Sequence, residues 1–121
     1  METKTAFQNL LTPFQIKGVE LKNRVVFLPH EMYYGSEDHL PTKKQKYYYE
    51  ERAKGGVGLI VVPSLGVHPT GFYSCQVAAK KESISGLKEI TDAVHGYGTK
   101  IFAQMTHYGN QTKSIETLQA T

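Results

Sequence analysis

The sequence predicts an α/β fold whose main strands form a parallel sheet. Apolar segments rich in β-branched or aromatic residues occur at 24–28, 57–62 and 101–105. A segment with helical signals lies between each pair of them, and polar residues follow each apolar segment. Strands that alternate with helices form βαβ units, and such units build parallel sheets with right-handed crossovers.

A short hairpin is predicted before the first of these strands. Residues 14–21 read FQIKGVEL, in which apolar residues alternate with polar ones on both sides of Gly18. Alternation with a period of two is typical of a strand with one buried face, and a glycine between two such segments is typical of a turn. We therefore expect two short antiparallel strands at this point.

The first predicted strand of the parallel sheet covers 24–28 and ends at Pro29, because proline cannot donate to a ladder. The helix after it is predicted to begin at Thr42, since Thr42 and Gln45 have the spacing of a capping box. It should end at the Gly-Gly pair 55–56, where a residue able to take positive φ closes the last turn.

The second and third strands follow the same pattern. The run at 57–62 is continuously apolar, which predicts a strand covered on both faces that ends at Pro63 and Ser64. The next helix is predicted from apolar residues at steps of three and four, namely Ile84, Leu87, Ile90 and Val94. It should stop at the Gly-Tyr-Gly segment 96–98, before the third strand, which begins the decamer 101–110. Residues 110–121 contain no recognisable element.

The composition is that of a soluble globular domain, with 121 residues, 40% of them hydrophobic and 21% charged. The single cysteine excludes an internal disulfide and a Cys-x-x-Cys site, so we expect a cytoplasmic protein. No apolar segment is long enough to cross a bilayer, and the net charge of +3 comes partly from short lysine clusters without a base-stacking pattern. We expect a small-molecule substrate and neither a nucleic acid nor a membrane as partner.

Polar residues stand at the carboxyl ends of all three predicted parallel strands. They are Pro29, His30 and Glu31 after the first strand, Ser64 after the second, and Gln104 and His107 at the third. Because the carboxyl ends of parallel strands converge on one face, ligands bind there in β/α architectures. We therefore expect these side chains to form a site.

Gln104 restricts the kinds of ligand that the site would bind, because a buried amide costs free energy unless a partner offers complementary donors and acceptors. A flat heterocycle with adjacent carbonyl and N–H groups, such as the pyrimidine part of a flavin, offers them. A bond from Gln104 to a side chain on a neighbouring strand is the equally open alternative.

Three segments resemble the old yellow enzyme and NADH:flavin oxidoreductase family. They read LLTPFQIKGVELKNRVV, YYYEERAKGGVGLIVVPSLGVHP and ITDAVHGYGTKIFAQMTHYGNQT, and they cover about 10–112 in the family's order and spacing. The resemblance implies a TIM (β/α)8 barrel, of which residues 1–121 would be the N-terminal segment. This partial barrel would comprise the first three parallel strands and two helices, preceded by a β-hairpin. Pro29 with His30, and the Val-His-Pro at 67–69, resemble the amine dehydrogenase and dienoyl reductase branch.

The resemblance also implies a cofactor and a reaction. Members of the family bind FMN non-covalently at the barrel mouth and pass hydride through flavin N5, from NAD(P)H to an activated alkene or a similar acceptor. Carried over by position, Pro29 and His30 would line the flavin, Ser64 would lie beside its ring, and Gln104 would bond its pyrimidine edge.

Three further residues are candidates by the same resemblance. Glu31 stands where relatives have a threonine or cysteine near flavin N5, and a carboxylate there would disfavour the anionic reduced flavin. Tyr33 falls where relatives place a tyrosine over the substrate, although the pattern slightly favours an amphipathic loop residue in an aromatic-rich segment. We take Glu31 and Tyr33 as candidate catalytic residues. His107, in Gln-x-x-His-x-Gly, is a candidate for substrate binding or for shaping its loop.

Two other functions remain open at the level of sequence. His30, His68 and His107 lie at or just beyond the ends of successive strands, as the ligands of a metal-dependent barrel hydrolase would. Alternatively the chain is a non-catalytic truncated segment, or a subunit that completes a barrel with another chain. A closed barrel of this type needs about 250 residues, so self-association or a complementing barrel chain is expected.

Overall fold

A computed structural model describes residues 7–112 of the chain. Its helices and strands are, in order, α1 (Gln8–Leu11), β1 (Phe14–Ile16), β2 (Val19–Leu21), β3 (Val26–Phe27), α2 (Lys43–Lys54), β4 (Leu59–Gly66), α3 (Ile84–His95) and β5 (Lys100–Thr106). Short 3-10 turns occupy Pro69–Gly71, Lys81–Ser83 and Gly109–Gln111. Of the segment predicted to lack an element, residues 113–121 lie outside the described part. Among residues 7–112, no helix has the length and apolar character that crossing a membrane requires.

The predicted parallel sheet is confirmed. Strands β3, β4 and β5 lie side by side in that order, and both pairs are parallel. Helix α2 connects β3 to β4, and α3 connects β4 to β5, which makes two βαβ units. The hairpin is also present, because β1 and β2 pair antiparallel with Phe14 opposite Leu21.

Strand β3 is shorter than predicted, since only Val26–Phe27 of the segment 24–28 enters the ladder. The polar side chain of Asn23 competes for the preceding backbone, because its Oδ1 accepts the Val25 N–H at 3.0 Å. Pro29 then removes a donor on the other side. The apolar composition predicted the strand, and these two flanking residues restrict its length.

Strand β4 continues past Pro63 to Gly66, so the prediction that it ends at Pro63 and Ser64 was wrong. The register to β5 shifts between Val62 and Leu65, and Pro63 lies inside this irregularity, where its missing N–H disrupts no regular ladder. All residues of β4 except Val61 are buried, which confirms that both faces of this strand are covered.

Both long helices begin and end close to the predicted positions. In α2 the capping box is complete, since Thr42 Oγ1 accepts from the Gln45 N–H and Gln45 Oε1 accepts from the Thr42 N–H. The chain leaves this helix at Gly56, whose φ of 96° is one that glycine adopts without steric cost. Helix α3 ends at His95, directly before the predicted Gly-Tyr-Gly segment.

The core lies between the two helices and the sheet. Its buried apolar side chains come from α2, β4, α3 and the segments beside them: Tyr49, Ala53, Val57, Ile60, Val62, Leu65, Val77, Ile90 and Val94. Strand β5 lies at the edge of the described sheet and is largely exposed; Met105 has 58% of its surface in solvent. The packing therefore buries the carboxyl end of β4 and leaves β5 largely exposed.

Candidate functional site

The segments that follow the three parallel strands line an open cavity of about 540 Å³. Six of its lining residues carry polar or aromatic side chains that matter for its chemistry: Glu31, Tyr33, Phe72, Tyr73, Tyr108 and Gln111. Glu31 and Tyr33 follow β3, Tyr73 lies in the loop after β4, and Tyr108 follows β5. The carboxyl ends of the strands thus converge on one cavity, as the parallel topology requires.

Glu31 is held by three hydrogen bonds. Its Oε1 accepts the backbone N–H groups of Met32 and Tyr33, both at 3.0 Å. Its Oε2 accepts the hydroxyl proton of Tyr73 in a short hydrogen bond. All three contacts use the carboxylate as an acceptor, which is the role of its ionised form. The geometry therefore fixes a carboxylate in the cavity wall.

Tyr73 keeps its hydroxyl proton over a wide pH range. Partial burial raises the pKa of this phenol well above its usual value, and the hydrogen bond to Glu31 raises it further. The ring packs edge-to-face against Tyr33 on one side and against Tyr108 on the other. Tyr73 thus acts as a hydrogen-bond donor at the centre of an aromatic row.

Ser64 lies at the irregularity of β4 with φ of 41°, a left-handed conformation that is uncommon for a residue with a side chain. Its carbonyl accepts from Nε2 of the buried Gln76 at 2.7 Å, and its Oγ lies 3.3 Å from the Tyr108 hydroxyl. Its N–H donates to Oε1 of Gln104 at 3.4 Å. These contacts hold the backbone of Ser64 in place at the end of the strand.

Gln104 is exposed in the part of the chain that the structure describes. The prediction that its amide group is buried was therefore wrong there. It lies on β5, which has no further strand beside it in the part of the chain that the structure describes. Its Oε1 accepts a hydrogen bond from the backbone N–H of Ser64 on the neighbouring strand. The alternative prediction, a bond to a side chain on a neighbouring strand, is therefore close, but the partner is backbone. Within residues 7–112 its Nε2 donors have no bonding partner, and they remain available to a ligand.

His107 connects two loops through a series of hydrogen bonds. Its Nδ1 accepts the Gly109 N–H at 2.9 Å, so the proton of the neutral ring is on Nε2, which donates to Thr70 Oγ1 at 3.0 Å. Thr70 Oγ1 in turn lies 2.9 Å from Nδ1 of His68. These bonds tie the end of β5 to the loop after β4.

Pro29 and His30 follow β3 but do not line the cavity that holds Glu31 and Tyr33. Pro29 is half-buried and His30 is exposed.

A metal site was the alternative prediction for the histidines near the strand ends. The described residues contain no group of three or more His, Cys, Asp or Glu side chains arranged to hold an ion. His68 and His107, two of its proposed ligands, instead share Thr70.

The sequence did not single out Tyr73, Tyr108 or Gln76. Tyr108 directly follows a residue that was considered, and its place after a strand end was a usable signal. Tyr73 lies in an irregular loop nine residues beyond Ser64, where no periodicity indicates which way a side chain points. Gln76 is 1% exposed in the same loop, and a buried polar residue there leaves no trace in a hydropathy pattern.

Comparison with known proteins identifies the family. The family model for the NADH:flavin oxidoreductase / NADH oxidase family matches residues 9–121. The chain belongs to this family. The resemblance that was read from three sequence segments is thereby confirmed, and the parallel sheet with its hairpin is the corresponding part of the family's fold.

Individual relatives of this NADH:flavin oxidoreductase chain are consistent with that membership. An NADH oxidase from Thermoanaerobacter brockii is 37% identical over 89% of the chain, and an NADPH dehydrogenase from Halalkalibacterium halodurans is 37% identical over 86%. The structure of the old yellow enzyme from Trypanosoma cruzi superposes with a TM-score of 0.81 over 88% of the chain, at 31% identity.

The chain spans only part of these proteins. It covers 17% of the NADH oxidase, 32% of the NADPH dehydrogenase and 29% of the old yellow enzyme chain. The similarity to the amine dehydrogenase and dienoyl reductase branch stays a prediction.

Proposed function

We propose that this chain forms part of the FMN pocket of an oxidoreductase that takes hydride from NAD(P)H and passes it to an activated alkene or a similar small molecule. The observation that carries the proposal is the orientation of Gln104. Its oxygen accepts from the Ser64 N–H at 3.4 Å, while the two donors of its amide group have no partner within residues 7–112. A ligand that bonds Gln104 must therefore offer an acceptor.

The donor set of the site fits FMN. The pyrimidine part of a flavin carries carbonyl oxygens that can accept from Gln104 Nε2, and such a bond would satisfy donors that have no partner within residues 7–112. When bound, FMN would supply a hydride acceptor and donor at its N5 position. Pro29, His30 and Ser64 are proposed to line the flavin, and Glu31 and Tyr33 to face the reacting side.

The remaining walls of the pocket must come from further polypeptide. A (β/α)8 barrel needs about 250 residues, and β5 presents an unpaired edge among the described strands. We propose that β5 pairs either with later parts of a longer chain or with a complementing chain, in the cytoplasm. The alternative of a non-catalytic segment predicts that the chain by itself binds no flavin.

A visible absorbance titration with FMN, run beside gel filtration of the 121-residue protein, tests the proposal. Saturable spectral change in a defined oligomer is the expected result. Gln104→Ala should weaken FMN binding about tenfold, because an amide hydrogen bond contributes roughly 0.5–1.5 kcal/mol and more where a buried acceptor is left without a donor. Gln15→Ala, on the exposed face of β1, is the matched control and should bind FMN as the wild type does. Equal affinities for the two variants would refute the assignment of Gln104.

A further inference from the structure

The cavity at the strand ends carries a single kind of charge. Of the described residues that line it, Glu31 alone has a charged side chain, and no lysine, arginine or histidine is among them. A carboxylate with no opposite charge among the residues that line the cavity attracts cations and repels anions, and both effects are stronger beside a protein surface than in bulk water. The electrostatics of the lining therefore distinguish ligands by the sign of their charge.

Three aromatic rings reinforce this distinction. Tyr73 packs edge-to-face with Tyr33, with ring centroids 5.6 Å apart, and with Tyr108, with centroids 5.5 Å apart. All three rings line the same cavity. Aromatic faces carry partial negative charge and attract a cation that lies against them. A carboxylate and a row of tyrosines together favour a positively charged group.

The charge of Glu31 is also fixed in position. Two backbone N–H groups hold Oε1, and the Tyr73 hydroxyl holds Oε2, so the carboxylate cannot turn out of the wall without losing a contact. The Met32 and Tyr33 donors belong to the segment that carries Glu31 itself. Of these three contacts, the one from Tyr73 comes from the end of a different strand. The Tyr73 ring also packs against Tyr33 and Tyr108.

We propose that this cavity is a charge-selective subsite for a cationic group, and that Tyr73 is the positioning residue that fixes the Glu31 carboxylate within it. The proposal deepens the proposed function, because the same cavity would receive the substrate of the oxidoreductase. Glu31 selects the sign of the ligand's charge directly. Tyr73 acts through Glu31 and through the ring that it presents between Tyr33 and Tyr108.

Three ligands of nearly the same shape and different charge test the proposal: benzamidinium, benzamide and benzoate. Their binding to the 121-residue protein is measured at pH 7 by calorimetry or by NMR titration, without FMN. Benzamidinium should bind about tenfold more tightly than benzamide, and benzoate more weakly than either. Because no flavin is present, failure here is distinguishable from failure of FMN binding.

Two variants distinguish an effect of the Glu31 charge on ligand binding from an effect of lost structure. Glu31→Gln keeps the size of the side chain and should abolish the preference for benzamidinium over benzamide. Tyr73→Phe keeps the ring and should reduce that preference several-fold while leaving benzamide affinity unchanged, whereas mere loss of structure would weaken all three ligands together. Tyr97→Phe, at a tyrosine that does not line the cavity, is the control. Equal affinities for the three ligands in the wild type, or no binding of any at millimolar concentration, would overturn the proposal.

Discussion

The hydroxyl of Tyr73 donates to Oε2 of Glu31, and this bond joins the segment after β3 to the loop after β4. The two residues are 42 positions apart, so no local interaction in the sequence holds them together. The remaining oxygen of Glu31 is engaged by its own segment. The contact therefore connects the ends of two neighbouring strands at the place where a ligand would lie.

Removal of this contact should destabilise the fold modestly. Tyr73→Phe and Glu31→Gln should each lower the free energy of unfolding by about 1 kcal/mol, since a hydrogen bond to a charged group contributes roughly 1.5–3 kcal/mol and partial exposure of both partners reduces it. Urea unfolding of the two variants and of the double variant gives the coupling energy. A coupling near zero would show that the two side chains do not stabilise each other; Glu20→Gln on the exposed face of β2 serves as the control.

Tyr49→Phe should stabilise the protein. The Tyr49 ring is fully buried in the core, and within the described residues its hydroxyl has no hydrogen-bond partner. A buried hydroxyl without a partner costs roughly 1–3 kcal/mol, so its removal should raise the free energy of unfolding by about 1 kcal/mol. Tyr47→Phe, at a ring with 59% of its surface exposed, should leave the stability unchanged. A loss of stability in Tyr49→Phe would mean that the hydroxyl has a partner in solution.

The same residue should make stability sensitive to alkaline pH. Burial, and to a lesser degree the charge of Glu31, raise the pKa of Tyr49 above its ordinary value of 10.0. A raised pKa means that the folded state binds the proton more tightly than the unfolded state does. The contribution of this proton to the free energy of unfolding is fully present below pH 10 and is lost as the pH rises further. Denaturant unfolding between pH 9 and 11 should show a steeper decline for the wild type than for Tyr49→Phe.

The fold was predictable from the sequence because its signals are local. The Thr42 and Gln45 capping box, the Gly18 turn and the continuous apolar run of β4 each act within a few residues. The predictions were wrong where a neighbouring group competed with the pattern. Asn23 shortened β3, and the shift of register around Pro63 let β4 continue.

The candidate site was predictable only in its location. The parallel topology places Glu31, Ser64 and Gln104 at strand ends, which the alternation of elements indicates. Whether an amide is buried depends on what packs beside β5, and the sequence of one strand does not contain that information. Tyr73 reaches the cavity through the irregular loop after β4, where the direction of a side chain is set by tertiary contacts such as the bond from the Tyr73 N–H to Gln76 Oε1.

Gly71→Ala should disturb the loop that His107 shapes. A Cβ at position 71 would lie 2.7 Å from Cδ2 of the His107 ring, closer than real Cβ atoms approach other heavy atoms. The ring would have to move, at the expense of its bonds to Thr70 and Gly109. We expect a loss of about 1–3 kcal/mol in the free energy of unfolding. In NMR, the signals of the His107 ring should shift.

The matched control for this change is Gly18→Ala in the hairpin turn, where a Cβ would meet nothing within 4 Å. It should alter stability by less than about 0.5 kcal/mol, since a surface substitution without new contacts has little effect. Equal losses in the two variants would indicate that the effect comes from chain flexibility in general and that contact with His107 does not cause it.

The exposed side of β5 should cause the 121-residue protein to self-associate. Phe102 and Met105 expose 39% and 58% of their surfaces, and the strand pairs only with β4 among the described residues. An unpaired strand edge beside exposed apolar side chains favours association with another chain. Met105→Glu places a charge on this surface and should shift sedimentation velocity profiles towards the monomer. Ile84→Glu changes an equally exposed apolar residue at the start of α3 and should leave the profile as in the wild type. If both variants or neither shifted the profile, association would not depend on the β5 edge.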